Sequence, residues 1–290
     1  MRIMKTWAKL RPPETLVNEM IKLMFITNDP EIALGAERAG VDRIFVDLEQ
    51  VGKDDRQGGM DTVQSDHTVE DVAKMRSVLT KAELLVRVDQ ICENSEAEIN
   101  AVIEAGADIV MLPYFKTVEQ VRKFLVFVGG RAKTCLLFET PEAVAIADKI
   151  LALNGIDECY IGLNDLHLGY GRKFMFELLA DGTVDYICSK FIDAGKPYGF
   201  GGIARLGTGM LSADSILAEN VRLGSSTLIL SRGFCDVREL SPAECIEVFN
   251  AEVPKMRERE AELRETEAQF FEENHAELKY TVSKIVENMQ

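Results

Sequence analysis

The chain has 290 residues, 47% hydrophobic and 28% charged, with a formal net charge of −15. This length suits one large globular domain or two small ones, and about 250 residues is typical of a single α/β barrel. The acidic excess repels nucleic acid and anionic membranes, so neither is expected as a partner, and an anionic substrate needs local cations, either a metal or a few arginines.

In chain order, the segment Met1 to Trp7 holds no long apolar stretch, and no run approaches 18 apolar residues. Neither a signal peptide nor a membrane span is expected. Cys92, Cys135, Cys159, Cys188, Cys235 and Cys245 form no CxxC pair. They read as reduced thiols of a cytoplasmic protein.

Eight short apolar runs read as strands: Leu23–Thr27, Arg43–Leu48, Leu84–Val88, Ile109–Pro113, Thr134–Phe138, Cys159–Leu163, Tyr198–Gly201 and Thr227–Ser231. The first six are nearly continuous in hydrophobics, as in parallel strands buried on both faces. Helices are predicted between them over Pro30–Ala39, Thr68–Leu79, Ser95–Ala105, Thr117–Val128, Pro141–Leu153, Phe174–Ala194 and Ser212–Leu223. Several open on an N-cap or a first-turn proline, and several close on glycine. Glu37-Arg38-Ala39-Gly40-Val41-Asp42 and Ile103-Glu104-Ala105-Gly106-Ala107-Asp108 look like one helix-to-strand joint used twice. Repeated βα units predict a (β/α)8 TIM barrel, with a doubly wound open sheet as the other architecture.

From Lys255 to Gln290 there is no Gly or Pro, and apolar residues recur at sevens. One long helix with a single apolar stripe is predicted. The chain therefore divides into a barrel over 1–238, with a short N-terminal lead, and a C-terminal helical extension over 239–290. The stripe packs either on its own barrel or on a neighbouring subunit of a homo-oligomer.

Polar residues at the C-terminal ends of barrel strands build active sites. Here those ends carry Asp47, Glu49 and Gln50, then Arg87, Pro113, Glu139, Asn164 and Asp165, and finally Gly201 and Gly202. Glu139 and Asp165 each end an apolar run, so successive parallel strands deliver both to one end of the sheet. Two carboxylates suit Mg²⁺ or Mn²⁺, which leave positions open for water and substrate. Arg87 lies between apolar neighbours and must meet an anion, either Asp47 or Glu49 or a substrate carboxylate or carbonyl. His67 reads first as part of a helix N-terminus that a loop brings near the site. His167 reads as a loop residue rather than a ligand. The glycines of Gly199-Phe200-Gly201-Gly202 offer backbone N–H groups to an anion or permit close packing.

Five phrases, in order, resemble the HpcH/HpaI aldolase–citrate lyase β-subunit family. They are Phe45-Val46-Asp47-Leu48-Glu49, Leu85-Val86-Arg87-Val88, residues 105–113 ending in Pro113, Phe138-Glu139-Thr140-Pro141-Glu142-Ala143 and Ile161-Gly162-Leu163-Asn164-Asp165-Leu166. The resemblance implies a barrel holding a divalent metal on Glu139 and Asp165, with Arg87 on the oxo group or carboxylate of a 2-oxo acid such as pyruvate. Pro113, Gly162, Asn164, Gly201 and Gly202 are the accompanying substrate contacts. Asp47 and Glu49 position Arg87 and metal waters, and with Gln50 standing at the base position the proton-transfer group is left open between His67, His167, a metal-bound water and none. The implied chemistry is reversible carbon–carbon cleavage through an enolate, in an oligomer whose C-terminal helices pack on neighbours. A citrate-lyase-like CoA-thioester lyase and a non-catalytic ligand-binding barrel are the alternatives. The sequence departs from the pattern at Gln50, where the aldolases carry a histidine base and the citrate-lyase-like branch an aspartate. The polar segment 51–66 reads as a substrate-specific loop.

Overall fold

A computed structural model describes residues 20–50 and 66–289. The N-terminal lead and nearly all of the loop expected at 51–66 lie outside the described residues. Eight parallel strands close into a barrel in sequence order: β1 (Lys22–Ile26), β2 (Arg43–Asp47), β3 (Glu83–Arg87), β4 (Ile109–Leu112), β5 (Lys133–Phe138), β6 (Glu158–Ile161), β7 (Tyr198–Ile203) and β8 (Thr227–Leu230). β8 pairs with β1, so no strand edge is left open, and the expected (β/α)8 barrel is the observed architecture.

Local signals begin several barrel helices where they were read, and one at Ser241 opens a helix that was not. The Asp29 side chain accepts from the N–H groups of Glu31 and Ile32 to cap Pro30–Ala39. Thr68 with Asp71, Thr117 with Gln120, and Ser241 with Glu244 form capping boxes, each satisfying N–H groups that a helix start leaves unpaired. The helix-to-strand joint is used three times. Asp42, Asp108 and Asp157 stand just before β2, β4 and β6, and each carboxylate accepts from a main-chain N–H at the start of the preceding strand, those of Leu23, Leu84 and Thr134, at 2.8 Å.

The barrel interior is layered. Arg43 closes its floor by a bidentate pair with Glu158 at 2.6 and 2.8 Å and a bond to Glu83 at 2.8 Å. Above it, Met24, Phe45, Leu85, Ile109, Met111, Cys135, Leu137 and Tyr160 fill the interior. At Gly199 a Cβ would lie 2.2 Å from the Thr227 carbonyl and 2.7 Å from the Tyr160 ring, so close packing explains this glycine. The pairing of β7 with β8 shifts between Gly199 and Gly202, and Tyr160 bridges the gap. Its hydroxyl donates to Gly201 O at 2.6 Å and accepts from Ile229 N at 3.0 Å.

Several helices differ from expectation. Pro141–Leu153 divides at Ile146 into Pro141–Ala145 and Ala147–Leu151. Phe174–Ala194 divides into Glu177–Ala180 and Thr183–Asp193, because Gly182 takes φ +85°. Residues 163–169, expected as strand end and loop, form a short helix, Leu163–Gly169. The single long helix from Lys255 is instead the end of Pro242–Arg264, followed by a second helix, Ala268–Asn288.

Helix Pro242–Arg264 lies on the barrel wall as its eighth helix. Ile246 presses on Gly35, where any Cβ would collide with it, and Phe249 meets Phe25 edge-on at 4.8 Å. Glu260, 1% exposed, accepts from Ile21 N at 2.7 Å, and Arg257 bonds Ile21 O and Asp42. On helix Ala268–Asn288, Asn274 and His275 bond the buried Glu219, while Leu278 and Val282 enter the core. Met256, Leu263, Leu278 and Val282 are therefore buried on the chain's own barrel, while Phe270, Phe271 and Ile285 of the same stripe are partly covered. Among the described residues, no helix is long and apolar enough to cross a membrane.

Candidate active site

The strand C-termini open into a cavity of about 650 Å³. Of the residues expected there, Asp47, Glu49, His67, Arg87, Glu139, Gly162, Asn164, Asp165, Gly201 and Gly202 all line it. Two do not. Gln50 is exposed at the mouth, where its main-chain N–H donates to Asp89 at 2.7 Å. Pro113 is buried behind the lining, and its neighbour Tyr114 reaches the site through its main chain.

Arg87 meets both carboxylates of the strand-two end. Its Nε and Nη2 donate to the two oxygens of Asp47 at 2.8 Å each, and Nη1 lies 3.2 Å from Glu49 Oε2. The Phe45 ring supports the guanidinium at 5.7 Å. Burial alone would lower the Arg87 pKa, but Asp47 and Glu49 outweigh it and hold the pKa well above the ordinary value.

Glu139 is 3% exposed at the end of β5. Burial, reinforced by the nearby charges of Glu49 and Asp165, pushes its carboxyl well above the usual range, against the pull of Arg87 and the Tyr114 N–H. That N–H donates to Oε1 at 2.8 Å. Oε2 faces Gly162, where an added Cβ would lie 2.8 Å away. Gly162 also begins helix Leu163–Gly169, whose first turn carries Asp165. Asp165 thus sits on a helical turn beyond β6 rather than on the strand end.

The two cavity histidines are held in opposite ways. His67 Nδ1 accepts from Asp47 N at 3.0 Å. His167 Nδ1 faces Leu163 O at 3.2 Å, and a carbonyl can only accept, so Nδ1–H donates.

The lining shows whether a divalent cation fits. Asp47 and Glu49 pair with Arg87 at this end of the cavity, and Glu139, raised first by its burial and then by the charges of Glu49 and Asp165, adds to the negative charge there. A dication would relieve that surplus of negative charge. No group of three or more His, Cys, Asp or Glu side chains in metal-binding arrangement occurs among the described residues. Glu139 and Asp165 would thus act as a two-carboxylate site completed by water and substrate, which is common for Mg²⁺.

Sequence reading stopped at strand seven and missed four further lining residues. Ser231 and Arg232 follow β8 directly, with Arg238 a few residues on, and all three line the cavity with Lys173. Extending the strand-end rule to β8 finds Ser231 and Arg232. No local signal marks Lys173.

A family model described as HpcH/HpaI aldolase/citrate lyase matches residues 22–225. No curated protein matches the chain. Among solved structures, an HpcH/HpaI aldolase from Desulfitobacterium hafniense DCB-2 is 17% identical, with a TM-score of 0.57 over 79% of this chain and 89% of that one. The citrate synthase SbnG is 18% identical, with a TM-score of 0.58 over 79% and 93%. Macrophomate synthase is 14% identical, with a TM-score of 0.53 over 78% and 82%. At these identities the structures share the fold.

Proposed function

The chain belongs to the HpcH/HpaI aldolase/citrate lyase family, and from that premise we propose that it is a divalent-metal-dependent carbon–carbon lyase or aldolase acting on a 2-oxo acid. The observation that carries the reading is the surplus of carboxylate around the buried Glu139, with Arg87 set beside it. Glu139 and Asp165 would hold Mg²⁺ or Mn²⁺. Such an ion acts as a Lewis acid and orients a bidentate 2-oxo acid.

The chain's own groups do the remaining work. Arg87 binds the substrate oxo or carboxylate oxygen and stabilises it as negative charge develops. Asp47 and Glu49 fix the guanidinium from behind, so its orientation exists before substrate arrives. The Tyr114 N–H occupies one oxygen of Glu139 and sets the direction of the other. Gln50 contributes no proton transfer, since an amide is not a base and this one stands outside the cavity.

The test is calorimetric titration of oxalate, a planar mimic of the pyruvate enolate, into metal-stripped protein with and without Mn²⁺. Binding that requires the metal and disappears in Asp165→Ala is the expected result. Binding in neither state removes the reading. Lys173, Arg232 and Arg238, which also line the cavity, favour a second reading, a CoA-thioester lyase. Turnover of a malyl-CoA-type thioester but not of free hydroxy-oxo-acids would select it.

A further inference from the structure

We infer that Lys173 selects the substrates this cavity takes, its ammonium receiving a second anionic group, carboxylate or phosphate, that the 2-oxo acid carries away from the end bound by Arg87. The inference rests on the 2-oxo-acid reading above and extends it to the far end of the substrate.

Lys173 lines the same cavity as Arg87, Glu139 and Asp165, and reaches it from the segment between helix Leu163–Gly169 and helix Glu177–Ala180. The main chain there is fixed. The N–H groups of Lys173 and Phe174 both donate to Glu177 Oε2 at 2.8 Å, and the buried rings of Phe174 and Phe176 meet edge-on at 5.3 Å. The side chain is held at its tip. Nζ donates at 3.1 Å to Met289 O, at the C-terminal end of helix Ala268–Asn288, which packs on helix Glu177–Ala180. The last carbonyls of a helix lack partners within it and form the negative end of its dipole, so a lysine is favoured there.

That partner leaves the charge of Lys173 available. A peptide carbonyl is a dipole and does not neutralise an ammonium, and one acceptor engages one of its three donors. Among the described residues, no carboxylate pairs with this ammonium. Arg87, by contrast, meets two carboxylates, Asp47 and Glu49. In a chain of net charge −15, an anionic group on a ligand is repelled unless a cation stands where it lies. A compact point charge on a flexible stem can meet a carboxylate or a phosphate at several chain lengths.

The test is calorimetry on the full chain with Mn²⁺. It compares 2-oxo dicarboxylates of five to seven carbons with 2-oxo monocarboxylates of the same length, and with the phosphonate analogue of the five-carbon diacid. In wild type the best-fitting diacid or phosphonate should bind about ten- to a hundredfold more tightly than its monoacid, as one charge-assisted hydrogen bond contributes. In Lys173→Met that ratio should fall to about one or below, and Lys173→Arg should keep most of it. A larger gain for the phosphonate assigns the group as a phosphate, and a larger gain for the diacid assigns it as a carboxylate. A wild-type ratio near one for every probe overturns the inference, as does an equal ratio in wild type and Lys173→Met. Oxalate separates the two failures. If wild type binds oxalate with Mn²⁺ but no second anion adds affinity, the inference alone falls; if it binds no oxalate, the 2-oxo-acid reading falls and the inference falls with it.

Discussion

Tyr114 donates its main-chain N–H to Glu139 Oε1 at 2.8 Å, and it does so from φ +45°, which no other non-glycine residue among those described shares in sign. A left-handed residue bearing a Cβ costs roughly 1–2 kcal/mol. The strain persists because a wholly buried carboxylate needs a donor. Tyr114→Gly keeps the N–H and removes the strain, at some cost in chain entropy. Its stability in urea should stay within about 1 kcal/mol of wild type, with Mn²⁺ affinity retained. Tyr114→Pro removes the N–H and should cost about 3 kcal/mol or more.

Gly162 is set by the same carboxylate. A Cβ there would lie 2.8 Å from Glu139 Oε2 and 2.9 Å from its Cβ. Gly162→Ala should leave the circular dichroism spectrum intact while weakening Mn²⁺ binding by at least about tenfold, or 1.4 kcal/mol. Unchanged Mn²⁺ affinity would mean that Glu139 is not the ligand.

Glu98 gives the stability a pH dependence. Burial, with the charge of Asp89 nearby, raises its pKa from 4.5 to about 7, despite donation from Asp89 N. The folded protein therefore holds this proton more tightly than the unfolded chain. Its contribution is complete below about pH 4.5 and is lost as pH rises through about 7, a fall of about 1–3 kcal/mol. Glu98→Gln, which still accepts from Asp89 N, should flatten that limb in urea titrations at pH 5 to 8.

Helix Pro242–Arg264 completes the barrel. Met256 and Leu263 are fully buried, and Glu260 satisfies the main chain at Ile21. A chain ending before Pro242 should lose cooperative unfolding. A chain ending at Thr266 should keep the closed barrel but expose Glu219, Leu278's partner surface and the base of Arg222 to solvent, lowering the melting temperature by several degrees. A cooperative transition in the shorter truncation would show that the eighth helix is dispensable.

Local patterning made most of the architecture legible. Each of the eight strands lies within about two residues of its predicted position at either end, because apolar runs, N-caps and terminal glycines act over a few residues. The same rule, polar residues at strand ends, found Asp47, Glu49, Arg87 and Glu139. It misplaced Asp165, whose helix is too short to show periodicity. It also missed Arg232 and Arg238 because the reading ended at strand seven.

What the sequence determined by itself is the repeating βα order, the family and the carboxylate-rich strand ends, all carried by neighbours in the chain. Only the tertiary structure decided that β8 pairs with β1, that the tail folds onto its own barrel, that Arg87 is shared between Asp47 and Glu49, and that the Asp47 N–H meets His67 Nδ1. Those outcomes depend on contacts across long separations, such as Ile21 with Glu260. They exist only once the strands have closed, because closure alone fixes which side chains and main-chain groups face one another.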